Sequence, residues 1–141
     1  MTPELKAQGG QDTQPEQHHP QVLAYMGDAV YEVCVRSLII SYYGQSKTHQ
    51  LHSLTVKLVS APMQANVLNR IAPYLTQKEK NMVRRGRNVK TSQVPKGATP
   101  QEYCLATGLE ALIGYLYLSG EDERIKTLLK NASLLEALQE K

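Results

Sequence analysis

Tryptophan and phenylalanine are absent from the 141 residues, and eight tyrosines carry all the aromatic character. Cysteine is scarce: Cys34 and Cys104 are the only two, and both stand in apolar stretches. Two such residues exclude a disulfide framework and read as small core residues in a reducing compartment. The first residues lack the apolar run of a secretory signal. Residues 103–120 approach the length needed to cross a membrane, but Thr107, Glu110 and three glycines within them point to a buried core helix. No partnership with a membrane is therefore expected, and the chain reads as cytoplasmic. Also missing are a phosphate-binding glycine loop, a dinucleotide fingerprint, a Cys/His zinc spacing and a Gly-x-Ser-x-Gly elbow. With those excluded, the chemistry has to rest on carboxylates.

Two carboxylates stand out by their surroundings. Glu110 is the only charged residue between Glu102 and Glu121, within Leu105-Ala-Thr-Gly-Leu-Glu-Ala-Leu-Ile-Gly-Tyr-Leu-Tyr-Leu118. Asp28 sits in Leu23-Ala-Tyr-Met-Gly-Asp-Ala-Val-Tyr31, between two apolar turns. A carboxylate in so apolar a helix is expected to be desolvated, which is costly unless it is paired or holds a metal. A single case usually has a structural explanation. Two cases, each beside small residues, favour a shared cation site. Gly27 and Ala29 flank Asp28; Gly108, Ala111 and Gly114 surround Glu110. A glycine inside a helix costs about 1 kcal/mol relative to alanine, and close approach of a second helix is the simplest compensation.

The net charge of +3 is unevenly spread. Residues 1–77 balance, whereas residues 78–96 carry seven basic side chains against Glu79 alone. A solvated helix face is the usual meaning of a charge run. Concentrated in one segment, it is also the electrostatic footprint of a polyanion site. The candidate contacts are Arg84, Arg85, Arg87, Asn88, Lys90 and Lys96.

Helical signals fill the chain from Pro20 onward, and no strand pattern, repeat or heptad array interrupts them. Residues 1–19, rich in Gln, Gly, Pro and His, read as a disordered tail, with no role for His18-His19. Pro20 opens a helix running to about Tyr43 and ended by Gly44. Further helices are predicted from near Ser46 to Val59, from a Ser60 cap to near Pro73, and from a Thr76-x-x-Glu79 capping box to about Arg85. His49 and His52 share a helix face, but no third ligand stands near. Residues 86–98 read as a polar, basic loop. Thr99-Pro100-Gln101-Glu102 starts the Glu110 helix, which ends at Gly120. A helix from Glu121 to about Asn131 and a short one capped by Ser133 complete an all-α domain over residues 20–141.

Hard cations such as Mg2+ take oxygen ligands and need only one or two protein carboxylates when substrate phosphates complete the site. Carboxylate helices beside a basic segment therefore point to metal-dependent hydrolysis of nucleic acid.

Tyr25-Met-Gly-Asp-Ala-Val-Tyr-Glu32 and Leu109-Glu-Ala-Leu-Ile-Gly-Tyr-Leu-Tyr-Leu118 resemble the two acidic helices of the ribonuclease III catalytic domain. The similarity is greatest to the Mini-ribonuclease III subfamily, which lacks a double-stranded-RNA-binding domain, and this chain has no room for one. Leu51-His52, Val59-Ser60-Ala61, Arg85-Gly86-Arg87-Asn88-x-Lys90 and Pro95-Lys96 add to it, so that roughly residues 20–130 are covered. The resemblance implies a ribonuclease III-like helical bundle and an endoribonuclease of double-stranded RNA. It implies Asp28 and Glu110 as catalytic, metal-binding acids, with Mg2+ as cofactor and Mn2+ as a substitute. It further implies a homodimer whose two sites cut opposite strands, acting on ribosomal RNA precursor. Full-length family members carry three more acids, at the positions occupied here by Gln21, Ala24 and Thr107. That departure leaves the number of metal ions open. Glu32 is expected to pair with Arg36 or a partner chain. Two other readings compete: a non-catalytic RNA-binding or ribosome-associated dimer that keeps the fold, and a helical module whose basic run meets an acidic protein.

Overall fold

A computed structural model describes residues 13–90 and 93–139. The described residues form seven α-helices: α1 (Pro20–Tyr43), α2 (Thr48–Val59), α3 (Ala61–Ile71), α4 (Gln77–Arg87), α5 (Pro100–Leu118), α6 (Asp122–Asn131) and α7 (Leu134–Gln139). No strand occurs among the described residues. None of the helices is long and apolar enough to cross a membrane.

The helix starts follow from their capping residues. The Ser60 hydroxyl accepts from the Met63 amide at 3.3 Å. Thr76 and Thr99 each accept at 3.1 Å from the amide of the glutamate three residues on. Those glutamates return the bond to the Thr76 and Thr99 amides, both at 2.9 Å. Each pair satisfies two amides that a helix start leaves without partners. Helix α5 ends at Leu118, and Gly120, just beyond its Ser119 cap, has a φ of 75° that suits a residue without a Cβ. Three features depart from expectation. Helix α4 takes in Gly86 and Arg87 from the predicted loop. Ser133, expected to cap the last short helix, has a positive φ of 54°, and its backbone carbonyl accepts from the Glu136 amide. His19, for which the sequence suggested no role, caps α1, its Nδ1 accepting from the Gln21 amide at 3.1 Å. Of the expected N-terminal tail, residues 1–12 lie outside the described part; Pro15–Gln17 form a 3₁₀ turn.

Helix α5 is the central element. Helices α1, α3, α4 and α6 all pack on it, and Leu109, Ala111 and Leu112 at its middle are wholly buried. Leu23, Tyr31, Val35 and Ile39 of α1, Leu58 of α2 and Ile71 of α3 complete the densest part of the core. Both cysteines are free and half-buried at its edge. Glu79, the one acid of the basic segment, is buried because it fastens α4 to α6. Arg124 grips its two oxygens through Nε at 2.9 Å and Nη2 at 2.8 Å. Burial of that ion pair is tolerable because the carboxylate also has its capping bond.

Candidate active site

The site is made where α1 crosses α5. A Cβ added at Gly27 would overlap the backbone carbonyl of Glu110, and one added at Gly114 would overlap that of Leu23. The two backbones are thus in contact, and only glycine permits it. Gly27 precedes Asp28, so this crossing places the Asp28 carboxylate against that of Glu110, and the two share a hydrogen bond. A second crossing fixes the other side of α5. A Cβ at Gly86 would come 2.8 Å from the Cα of Gly108, and one at Gly108 would meet the Arg87 side chain at 2.9 Å. The small residues that stand out in the sequence are therefore contact points, with one exception. Ala29 faces outward and lines a groove beside α1.

The two carboxylates differ in environment. Glu110 is half-buried, and its carboxyl is pushed up to about 8. Burial is the largest cause, followed by the hydrogen bond to Asp28 and that residue's negative charge; a hydrogen bond with Gln64 acts in the opposite direction. Asp28, expected to be desolvated, is instead exposed. Its apolar neighbours mislead because they divide between two faces: Leu23 and Tyr31 enter the core, whereas Tyr25 is 80% accessible and Val33 63%. One carboxylate is thus anchored in the core and its partner is open to solvent.

The pressure on Glu110 has a consequence for stability. Its folded pKa lies above the ordinary value of 4.5, so the folded state holds a proton that the unfolded chain has lost. The contribution is complete below about pH 4.5 and is lost as pH rises through about 8. Denaturant titrations of metal-free protein should show stability falling across that window, by up to about 1.4 kcal/mol per pH unit. The Glu110→Gln variant should flatten this dependence.

Two further side chains line the pair. Tyr31 donates its hydroxyl to the Leu58 carbonyl at 2.9 Å. Burial, with the nearby Cys34 and Glu110, raises its pKa well beyond the usual tyrosine range, so it remains a neutral strut. Gln64, 3% accessible, donates its Nε2 to the Val59 carbonyl at 3.0 Å. Its Oε1 is buried with no partner. Gln64 was not among the residues that the sequence brought forward. The signal was available: it is a polar residue on the stripe that Leu68 and Ile71 continue at helical spacing.

At the three positions where the resemblance implies further acids, Ala24 is buried, Gln21 is exposed, and Thr107 turns its hydroxyl back to the Tyr103 carbonyl at 3.0 Å. Glu32 pairs with Arg36 at 2.8 Å on the surface, the role expected of it. Among the described residues no three His, Cys, Asp or Glu gather as a metal cluster. The donor set is two carboxylates, with the Gln64 amide beside Glu110. That set suits a hard cation which keeps its waters, such as Mg2+ or Mn2+, better than zinc. Burial is the main cause of the Glu110 shift, and the smaller part that comes from the Asp28 charge is one that such a cation would offset.

The basic residues fall into two groups. Arg85 is committed to the fold: its Nη1 donates to the Glu16 carbonyl at 2.8 Å and its Nη2 to the His18 carbonyl at 2.7 Å. It ties the turn before α1 to α4. Arg84, Arg87, Asn88, Lys90 and Lys96 are exposed. Asn88 and Lys90 share a notch with His19, Gln21 and Arg85. Gln21 is seven residues before Asp28, about 10 Å along the helix. The notch and the Asp28 carboxylate are therefore both carried by α1, about two turns apart. Lys96 is not brought to this notch.

A family model described as the ribonuclease III domain matches residues 21–121. A Mini-ribonuclease 3 of Thermoanaerobacter sp. (strain X514) is 50% identical over 111 residues, covering 79% of this chain and 78% of that protein. One from Brevibacillus brevis is 48% identical over 118 residues, covering 84% and 87%. Among solved structures, a Fusobacterium nucleatum protein superposes with a TM-score of 0.75 at 28% identity, over 84% of this chain and 94% of that one.

Proposed function

Given that the chain belongs to the ribonuclease III family, as an endoribonuclease of the Mini-ribonuclease III type, we propose that Asp28 and Glu110 form its metal-dependent cleavage centre for double-stranded RNA. The observation that carries this reading is the pair itself: a core-anchored carboxylate hydrogen-bonded to an exposed one at a backbone-to-backbone helix crossing. Mg2+, or Mn2+ in its place, supplies water activation and charge neutralisation at the phosphodiester when bound there. Asp28 faces solvent, where it would hold the cation against the scissile phosphate. Glu110 fixes the position from the core side.

Arg84, Arg87, Asn88, Lys90 and Lys96 would hold phosphates of the duplex, since duplex RNA is read mainly by shape and backbone contacts. Arg85 serves chiefly to brace the entry to α1. The variant carrying Arg84→Ala, Arg87→Ala and Lys90→Ala should therefore keep its thermal stability. Its log affinity for duplex RNA should fall with log salt less steeply than the wild type's, by about 2 to 3 units, at about 0.7 to 0.9 for each phosphate no longer neutralised. Binding measured from low to moderate salt checks this; equal slopes would place the RNA elsewhere.

The active form is a homodimer. Val22, Tyr25, Val33, Ile40 and Tyr42 of α1 are all exposed. They flank a groove of about 880 Å³ between α1 and α6 that is lined by Met26, Ala29, Leu38 and Ile125. An apolar face of this extent marks an interface. A two-fold dimer matches the local two-fold axes of duplex RNA, so each subunit would cut one strand and leave short 3′ overhangs. Ribosomal RNA precursor in the cytoplasm is the natural substrate on this reading. The test is a long RNA duplex, with single-stranded RNA of the same sequence as control, incubated with Mg2+ or EDTA and mapped at its ends. Paired staggered cuts in the duplex with Mg2+ are expected. Duplex binding without cleavage would favour a non-catalytic RNA-binding dimer, and no binding would favour a protein-interaction module.

A further inference from the structure

Gln64 is as buried as the core leucines, yet its amide is only partly used. Its Nε2 is anchored by the Val59 carbonyl at 3.0 Å, at the junction of α2 and α3, and its amide also meets Glu110. That anchor fixes the orientation of the amide, because a flipped group would turn oxygen toward oxygen. Oε1 is left enclosed and without a partner among the described residues. A buried amide oxygen without a donor is rare in a folded protein, because it has lost its water and gained nothing in return. Its place beside Glu110 supplies a reason.

Resting on the reading of Asp28 and Glu110 as the cation pair, we infer that Gln64 is a positioning residue of that centre. Its Nε2 side steadies the Glu110 carboxylate, and its Oε1 would accept a hydrogen bond from a water held by the bound cation. The neutrality of the amide is part of the arrangement. A third carboxylate at this corner would add repulsion to a glutamate that Asp28 already disfavours as an anion, whereas an amide provides an acceptor without charge. Helix α3 thus contributes to the centre alongside α1 and α5, in a chain where Ala24 and Thr107 offer no carboxylate.

The test is Mn2+ binding to RNA-free protein, followed by electron paramagnetic resonance, with thermal unfolding of the same metal-free samples. Gln64→Met keeps length and burial but removes both polar atoms. It should fold and should bind Mn2+ about 10-fold to 100-fold more weakly, the range found when groups that orient metal ligands are removed. The Mg2+ concentration for half-maximal cleavage should rise in step, with kcat at saturating Mg2+ largely retained. Gln64→Glu should bind Mn2+ more tightly than the wild type. Wild-type Mn2+ affinity in Gln64→Met, whatever its thermal stability, would make Gln64 a structural bridge only and overturn the inference. If Gln64→Met does not fold, Gln64→Glu decides alone: unchanged affinity overturns the inference. A wild-type protein that binds no Mn2+ would overturn the cation reading itself, a separate failure.

Discussion

Asp28→Asn is expected to leave folding and dimerisation intact and to lower duplex cleavage at saturating Mg2+ by about 10³-fold or more. The amide keeps the shape of the side chain and loses the charge that holds a cation. Because Asp28 is exposed, the substitution leaves no buried charge stranded and should not lower the melting temperature. It should raise it slightly at neutral pH, since it removes the anion that opposes ionisation of Glu110. Single-turnover cleavage and thermal unfolding on the same preparation separate the two effects. Activity within tenfold of the wild type would remove Asp28 from the chemistry. A large loss of stability would mean that its role is in the fold.

The second large effect lies in the crossing that creates the site. Gly114→Ala adds one methyl group to a helix interior, where alanine would by itself be favoured by about 1 kcal/mol. Here the methyl would overlap the backbone carbonyl of Leu23, and backbone cannot step aside as the end of a side chain can. Helices α1 and α5 must then part, opening the core around Leu23, Leu109 and Leu112. A net loss of about 3 kcal/mol or more is expected, or roughly 10 °C in melting temperature. Any Gly114→Ala protein that remains folded should also cleave poorly, because Asp28 and Glu110 will no longer meet. A melting temperature equal to or above the wild type's would show that the crossing is looser than described.

Much of this was legible in the residues. Pro20, Ser60, Thr76 and Thr99 mark their helix starts because capping and the fixed φ of proline are local effects. Gly27, Gly108 and Gly114 announced close packing because their helical cost demands compensation. Burial was read well for Glu110 and poorly for Asp28, and the difference is informative. Apolar neighbours in sequence imply burial only when the chain's own core receives them. Those of Glu110 face this core, whereas Tyr25 and Val33 face outward on the surface proposed above for a second subunit. The fate of Arg85 was hidden because its acceptors are backbone carbonyls about 70 residues earlier in the chain, which composition and spacing do not reveal. Gln64 was missed for a related reason. A neutral amide gives no charge signal, and its meaning depends on a glutamate brought to it by the fold.

The most direct measurement uses mixed dimers. Wild-type and Asp28→Asn subunits carrying different affinity tags are co-expressed, the heterodimers are isolated, and a long RNA duplex is cleaved in Mg2+ with both strands followed. One Asp28–Glu110 centre per subunit, acting on one strand, predicts that the mixed dimer nicks a single strand. The wild type should cut both strands with a short stagger, and the Asp28→Asn dimer should cut neither. Mixed dimers that cut both strands at the wild-type rate, or an Asp28→Asn dimer that still cleaves, would contradict it.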